Sequence, residues 1–211
     1  MTVLYILMIA GGIWHITGSF AGLMSIMAGP LIIVVSLWQF GLLYRDAEHN
    51  EKPKAILFSV FVIAGSWLAE WAGVETGLLF GEYDYKGVLL PHIIDVPAAI
   101  GFAWLGVLLA SLGLLSRINL FRRMPIFLKS IAVGAAMTLF DYFMEPAAVK
   151  LNYWTWEGGI IPLRNYLAWF IMGAFFAFIG FKSGILNKKP DTFNYHSYLA
   201  QMIYFLLVKL A

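Results

Sequence analysis

The chain has no cysteine and very little charge. Without cysteine it cannot form disulfides, zinc–thiolate centres or iron–sulfur clusters of its own. Only 12% of its 211 residues are charged and the net charge is +2, whereas soluble domains are about a quarter charged. The sequence also lacks a glycine-rich phosphate loop in a strand–helix context. These absences argue against a soluble nucleotide-binding enzyme and against nucleic acid as a partner.

What the chain has instead is long apolar runs, because 61% of its residues are hydrophobic. A transmembrane helix needs about 20 apolar residues, with a range of roughly 17–25. Seven runs approach this length, although the first and last are short enough to leave six spans as an alternative. We therefore predict an all-α polytopic transmembrane helix bundle, in contact with membrane lipid, that forms one domain over residues 1–211. The runs cover residues 2–18, 20–43, 54–74, 92–115, 125–148, 162–182 and 195–210.

The loop charges predict an orientation. Cytoplasmic loops are enriched in lysine and arginine, and ten of the fourteen basic residues fall in alternate loops. This pattern predicts a cytoplasmic N-terminus. The acids of the apolar runs then face the non-cytoplasmic side. The ten basic residues are Arg45, Lys52, Lys54, Arg117, Arg122, Arg123, Lys129, Lys182, Lys188 and Lys189, and the acids are Glu70, Asp95, Asp141 and Glu145.

Asp141 and Glu145 are the most unusual residues of the chain. An aspartate at the centre of a span costs roughly 2.5–3.5 kcal/mol on insertion scales, and a spacing of four places both carboxyls on one helical face. Crowded carboxyls removed from water can keep a proton near neutral pH, as a general acid must. The alternative is a polar network that ties helices together. Pro146 follows Glu145 and predicts that the helix ends there.

Three other segments carry candidate site residues. Glu70 lies three residues after Trp67 and is either a site acid or an interfacial acid among belt tryptophans. The loop with Tyr83 and Tyr85 is either a cover over a pocket or an interfacial turn. His92 and Asp95 are three residues apart at the predicted start of the fourth helix, where one histidine with one aspartate makes a weak metal-ligand set.

Aromatic residues follow the fifth run. Trp154 and Trp156 belong either to an aromatic belt at the membrane surface or to an aromatic wall that faces a cation. Asn165 and Trp169 are four residues apart on one predicted helical face, with Tyr166 between them.

Over about residues 66–170 the sequence resembles the integral-membrane carotenoid biosynthesis family that contains the acyclic carotenoid 1,2-hydratases. The resemblance implies addition of water across the terminal double bond of a linear carotenoid, without a cofactor or metal. It also implies a prokaryotic plasma membrane, with other carotenoid-pathway enzymes as possible partners. It is carried by residues 70–77 (Glu-Trp-Ala-Gly-Val-Glu-Thr-Gly), 80–85 (Phe-Gly-Glu-Tyr-Asp-Tyr), Val96-Pro97, Ala103-Trp104, Asp141 to Pro146, Trp154-Thr155-Trp156, Pro162 to Tyr166 and Trp169.

Under this resemblance Asp141 or Glu145 is the proton donor, Glu70 orients water or accepts its proton, and Asp95 supports them. The expected substrate-binding residues are Tyr83, Tyr85, His92, Trp154, Trp156, Asn165, Tyr166 and Trp169. A carotenoid cyclase begins with the same alkene protonation and remains an alternative. A proton-coupled or lipid transporter and a non-catalytic assembly factor also remain open.

Overall fold

The computed structural model describes residues 1–210 and confirms the predicted all-α bundle. Seven long helices account for the seven apolar runs, and one short helix lies between the fourth and fifth of them. The helices are α1 (Thr2–Thr17), α2 (Ala21–Asp46), α3 (Lys52–Thr76), α4 (Ala99–Leu115), α5 (Asn119–Arg123), α6 (Ile126–Lys150), α7 (Leu163–Lys182) and α8 (Thr192–Leu210). Four of them, α2, α3, α6 and α7, are long and apolar enough to cross a membrane, and α1 and α4 are shorter apolar helices.

Proline and glycine set several helix boundaries. Pro53 lies in the first turn of α3, where its missing N–H costs nothing. Gly18 and Gly77 follow α1 and α3 with φ of 67° and 64°, the left-handed conformation that glycine adopts most readily. The prediction that the helix ends at Pro146 is wrong, because α6 continues through it to Lys150.

The fourth helix begins later than predicted. Residues 92–98 were expected to be helical, but α4 starts at Ala99. The preceding segment forms a hairpin of β2 (His92–Ile93) and β3 (Val96–Pro97), with Asp95 in its exposed turn. Ile94 has a φ of 55°, which a turn requires and a helix forbids. Asp95 is therefore not inside a span.

A second small sheet covers one end of the bundle. In it β1 (Tyr83–Tyr85) pairs antiparallel with β4 (Trp154–Trp156), with Tyr83 opposite Trp156 and Tyr85 opposite Trp154. Successive side chains of a strand point to opposite faces, so all four rings lie on the face turned toward the helices. We call this end, with the loops 77–98 and 151–162, the site end.

The opposite end carries the basic loops, and we call it the basic end. The four ion pairs among residues 1–210 lie there, between Arg45 and both Asp46 and Asp191 and between Lys188 and both Glu48 and Glu51. They join the loop after α2 to the loop before α8. The described residues thus place no ion pair at the site end.

Candidate active site

Glu70 is buried at the site end and accepts three hydrogen bonds. Its Oε2 accepts from the hydroxyls of Tyr83 and Tyr85 at 2.5 and 2.9 Å, and its Oε1 accepts from the indole N–H of Trp104 at 2.9 Å. The tyrosines come from the sheet and Trp104 from α4, so the carboxyl joins three elements. Burial, and then the charge of Glu70, raise the pKa of Tyr83, so this phenol keeps its proton and donates.

Glu145 occupies the facing wall, on α6. Its Oε2 accepts from the indole N–H groups of Trp154 and Trp156 at 2.9 and 2.8 Å. The alternation along β4 causes this arrangement, because Trp154 and Trp156 are two residues apart and point to the same face. A single strand therefore supplies both donors to one carboxylate oxygen.

Asp141 lies one helical turn before Glu145 and is fully buried. Asn165 of α7 bridges the two acids, because its Nδ2 lies 2.7 Å from Asp141 Oδ2 and 3.4 Å from Glu145 Oε1. Asp141 Oδ1 has no hydrogen-bond partner among the described residues. Asp141 thus carries one carboxyl oxygen that is free to hold a proton.

A cavity of about 40 Å³ lies between the two glutamates. It has room for water, since a cavity of about 10–15 Å³ already holds one molecule. Trp104 and Trp169 stack at its base, with ring centroids 3.9 Å apart and planes 15° apart. Glu70, Glu145 and Asn165 line it, whereas Asp141 lies behind Asn165 and does not. Water in the cavity would contact both glutamates and aromatic faces.

The charge of the site is unbalanced. Glu70, Asp141 and Glu145 converge at the site end, and no lysine or arginine pairs with them among residues 1–210. Three buried carboxylates without a counter-ion are strongly disfavoured. The arrangement therefore favours a proton shared among the acids and a positive charge on any bound molecule. The described residues contain no group of three or more potential ligands arranged for a metal ion.

The structure brings together most of the predicted site residues, but not all of them. Eight of them line the cavity, and Asp141 is joined to these through the hydrogen bond from Asn165. The eight are Glu70, Tyr83, Tyr85, Glu145, Trp154, Trp156, Asn165 and Trp169. Asp95 is exposed in the β2–β3 turn. His92 touches the cluster only through the ring of Tyr85, at 6.5 Å between centroids. Tyr166 is half-buried beside Tyr142 of α6 and does not line the cavity.

Six residues that line the cavity were not among the predicted site residues, namely Phe80, Ile100, Ala103, Trp104, Val107 and Met144. Of these, Trp104 also donates a hydrogen bond to Glu70. Ala103, Trp104 and Met144 lie within segments that carry the resemblance, but they were not assigned to the site. Because α4 is apolar on every side, periodicity does not show which of its faces meets the acids. The available signal was Trp104 itself, because a buried indole N–H needs a hydrogen-bond partner.

Four helices long and apolar enough to cross a membrane, with buried acids bonded to aromatic donors between them, are the features of a helical membrane protein. The family model described as carotenoid biosynthesis protein matches residues 20–211. The chain belongs to this family, as the resemblance predicted. No curated protein and no solved structure matches the chain.

Proposed function

We propose that the protein is a carotenoid hydratase that adds water to the terminal double bond of an acyclic carotenoid. The observation that supports this proposal most directly is the unbalanced cluster of three carboxyls around a water-sized cavity. Acids with no counter-ion suit a reaction that needs a proton donor and passes through a cation. The aromatic faces of Trp104 and Trp169 add stabilisation to such a cation.

The reaction divides into three steps. Protonated Glu145, which lines the cavity and has Asp141 one helical turn away to resupply its proton, gives a proton to the less substituted carbon of the terminal double bond. The π electrons form the new C–H bond and leave a tertiary cation on the more substituted carbon. A water oxygen bonds to that carbon, and the water then gives a proton to Glu70. The product is a tertiary alcohol.

Proton return to the donor completes the cycle. Glu70 gains one proton and the donor loses one, so the net reaction adds water without oxidation or reduction. No other co-reactant is needed. The hydroxyls of Tyr83 and Tyr85 both donate to Oε2 of Glu70. The other carboxyl oxygen, Oε1, faces Trp104 and the cavity.

A carotenoid cyclase is the second candidate function, because protonation is common to both reactions. The size of the cavity favours hydration: about 40 Å³ accommodates water, whereas cyclisation must fold a whole end group beside the acids. A transporter is less favoured, since the acids gather at one end of the bundle while transporter sites lie near the midplane.

Expression in a host that makes acyclic carotenoids tests the proposal. The hydratase is expected to yield a pigment heavier by one water, and a cyclase an isomer of unchanged mass. Glu145→Gln and Glu70→Gln are expected to abolish the heavier pigment while protein levels persist. Absence of any water-added pigment with the wild-type protein would overturn the proposal. Unchanged pigment from both variants would indicate a non-catalytic role.

A further inference from the structure

A second and larger cavity lies beside the acid site. Its volume is about 290 Å³, near the lower limit of about 300–1,000 Å³ for small-molecule sites. Because α1 packs chiefly on α8 and α2 chiefly on α4, a space remains between the first two helices, and the cavity fills it. Leu7, Leu23, Met27 and Leu31 line it and are partly exposed. It therefore opens sideways, toward lipid.

The cavity is long and closed at one end. Along α2 it extends from Leu23 to Gln39, which is about 24 Å at 1.5 Å per residue. The hydrocarbon core of a bilayer is about 30 Å thick. At the deep end Gln39 Nε2 donates to the carbonyl of Gly106 at 3.2 Å and ties α2 to α4. The shape suits an extended chain that lies across the membrane.

The lining excludes a charged lipid headgroup. It contains no lysine, arginine or histidine, so a phosphate would find no cationic partner there. The polar side chains Ser36, Gln39 and Gln201 are few, and the remainder are apolar or aromatic. An uncharged hydrocarbon is thus the occupant that the lining fits.

The two cavities share a wall. Ala103, Val107 and Met144 line both of them. Ala103 precedes Trp104, which bonds to Glu70, and Met144 precedes Glu145. A chain in the larger cavity would therefore meet the acids only at this wall, where the small side chain of Ala103 leaves most room.

We propose that the larger cavity binds the hydrocarbon chain of an acyclic isoprenoid substrate and that Ala103 keeps the passage to the carboxyls open. This inference rests on the proposed function, because it assigns the chain-binding part of the same site. The chain enters from lipid between α1 and α2. Only its terminal double bond reaches the acids between Ala103 and Met144, so the rest of the chain remains outside the water-sized cavity.

Two substitutions separate chain binding from passage. In Ala103→Leu the added carbons fill the passage, so we expect hydration to fall at least about tenfold, whereas polyene affinity should fall much less because Ala103 is one of many residues that line the larger cavity. In Gly11→Leu the side chain enters the larger cavity, since a Cβ there lies 3.4 Å from Met24 and Tyr204. We expect its polyene affinity to fall about tenfold or more. Ala64→Leu, at an exposed site on α3, and Gly22→Leu, with nothing within 4 Å of its Cβ, are the matched controls.

The measurement uses the purified full-length protein in detergent with an acyclic polyene as the probe. Binding is followed by quenching of tryptophan fluorescence, turnover by the mass of the pigment, and folding by thermal unfolding. Wild-type polyene affinity in folded Gly11→Leu would overturn the assignment of the cavity, and full turnover in Ala103→Leu would overturn the role of Ala103. Displacement of the polyene by equimolar phosphatidylglycerol would show that a phospholipid is the occupant. Polyene binding with no water-added product would instead refute hydration and leave the chain site standing.

Discussion

At the scale of single residues, the hydrogen bonds to Glu70 are the most specific feature of the site. Two phenols and one indole donate to one carboxyl, and hydrogen bonds to charged groups contribute about 1.5–3 kcal/mol each. A carboxylate held by three donors has a fixed orientation, which a group that positions water requires. In the proposed reaction we therefore expect the tyrosines to act through Glu70.

We expect Tyr83→Phe to lower hydration about tenfold. The variant loses one such hydrogen bond, and each loss of about 1.36 kcal/mol in transition-state stabilisation slows a reaction tenfold. The ring, and hence its packing at 4.9 Å against Trp156, is retained. Pigment analysis after a fixed expression time measures the effect. Tyr44→Phe, at the basic end, makes the same chemical change outside the site and should leave hydration unaltered. Equal activity in Tyr83→Phe and wild type would exclude a role for this hydroxyl.

At the scale of structural elements, the β1–β4 sheet determines where the aromatic donors lie. The sequence predicted a loop rich in tyrosine and tryptophan near the acids but not the strands, because each has only three residues. Tyr-Asp-Tyr and Trp-Thr-Trp do show a period of two. The pairing of β1 with β4, however, depends on about 70 intervening residues, and local periodicity does not encode such a register.

The helices were far more predictable than the sheets. Length and hydropathy predicted all seven long helices, because a span of apolar residues is dictated by the bilayer. The predicted start of α4 was wrong, since residues 92–97 continue the apolar run of the span but pair as a hairpin. Asp95 was misplaced for the same reason, whereas Asp141 and Glu145 were placed together because they share one regular helix.

The sheet also carries an exposed acidic pair that makes it sensitive to pH. The Glu82 carboxyl, through a hydrogen bond and then through its charge, raises the pKa of Glu157. The folded protein therefore binds this proton more tightly than the unfolded chain. This proton stabilises the folded protein fully below the ordinary glutamate pKa, and the stabilisation is lost as the pH rises through the raised pKa of Glu157.

We expect hydrogen exchange in residues 82–85 and 154–157 to speed up, relative to the intrinsic rate, as the pH rises through this range. The Glu82→Gln variant should lose the pH dependence, because the amide can donate to Glu157 and adds no charge. Asp84 also contributes repulsion, so Asp84→Asn should reduce the dependence only in part. A pH dependence that persists in full in Glu82→Gln would contradict the pairing.

The contact between α6 and α7 sets the distance between the acids and Asn165. Gly134 of α6 lies so close to α7 that a Cβ there would be 2.6 Å from the carbonyl oxygen of Phe170. Small residues at such crossings let helix backbones approach closely. The approach keeps Asn165 within hydrogen-bond distance of Asp141.

We expect Gly134→Ala to push the two helices apart and to destabilise the protein by about 1–3 kcal/mol, the usual cost of overpacking. Hydration should fall as well, because the Asn165 bridge lengthens. Thermal unfolding in detergent and pigment mass measure the two effects. Gly41→Ala is the matched control, since nothing lies within 4 Å of its Cβ, and it should be at least as stable as wild type. A variant Gly134→Ala that matches this control would show that the crossing tolerates a methyl group.

At the scale of the whole molecule, charge is divided between the two ends. The basic end holds the ion pairs and most lysines and arginines, while the site end holds the buried acids. The positive-inside rule predicts that the basic end lies in the cytoplasm, in which case the acids and the β1–β4 sheet would face the other side. Under the proposed function, we therefore expect water to reach the carboxyls from outside the cell and the hydrocarbon chain to reach them from the lipid.

The absence of cysteine makes this orientation directly measurable, because each introduced thiol is the only one in the chain. Ile160 is exposed at the site end and Asn50 is exposed at the basic end. A membrane-impermeant maleimide applied to intact cells is expected to label Ile160→Cys and to leave Asn50→Cys unlabelled. Both variants should be labelled after lysis, which controls for the reactivity of each thiol. The reverse pattern in intact cells would place the acids on the cytoplasmic side, and water would then enter from there without any change in the chemistry of the carboxyls.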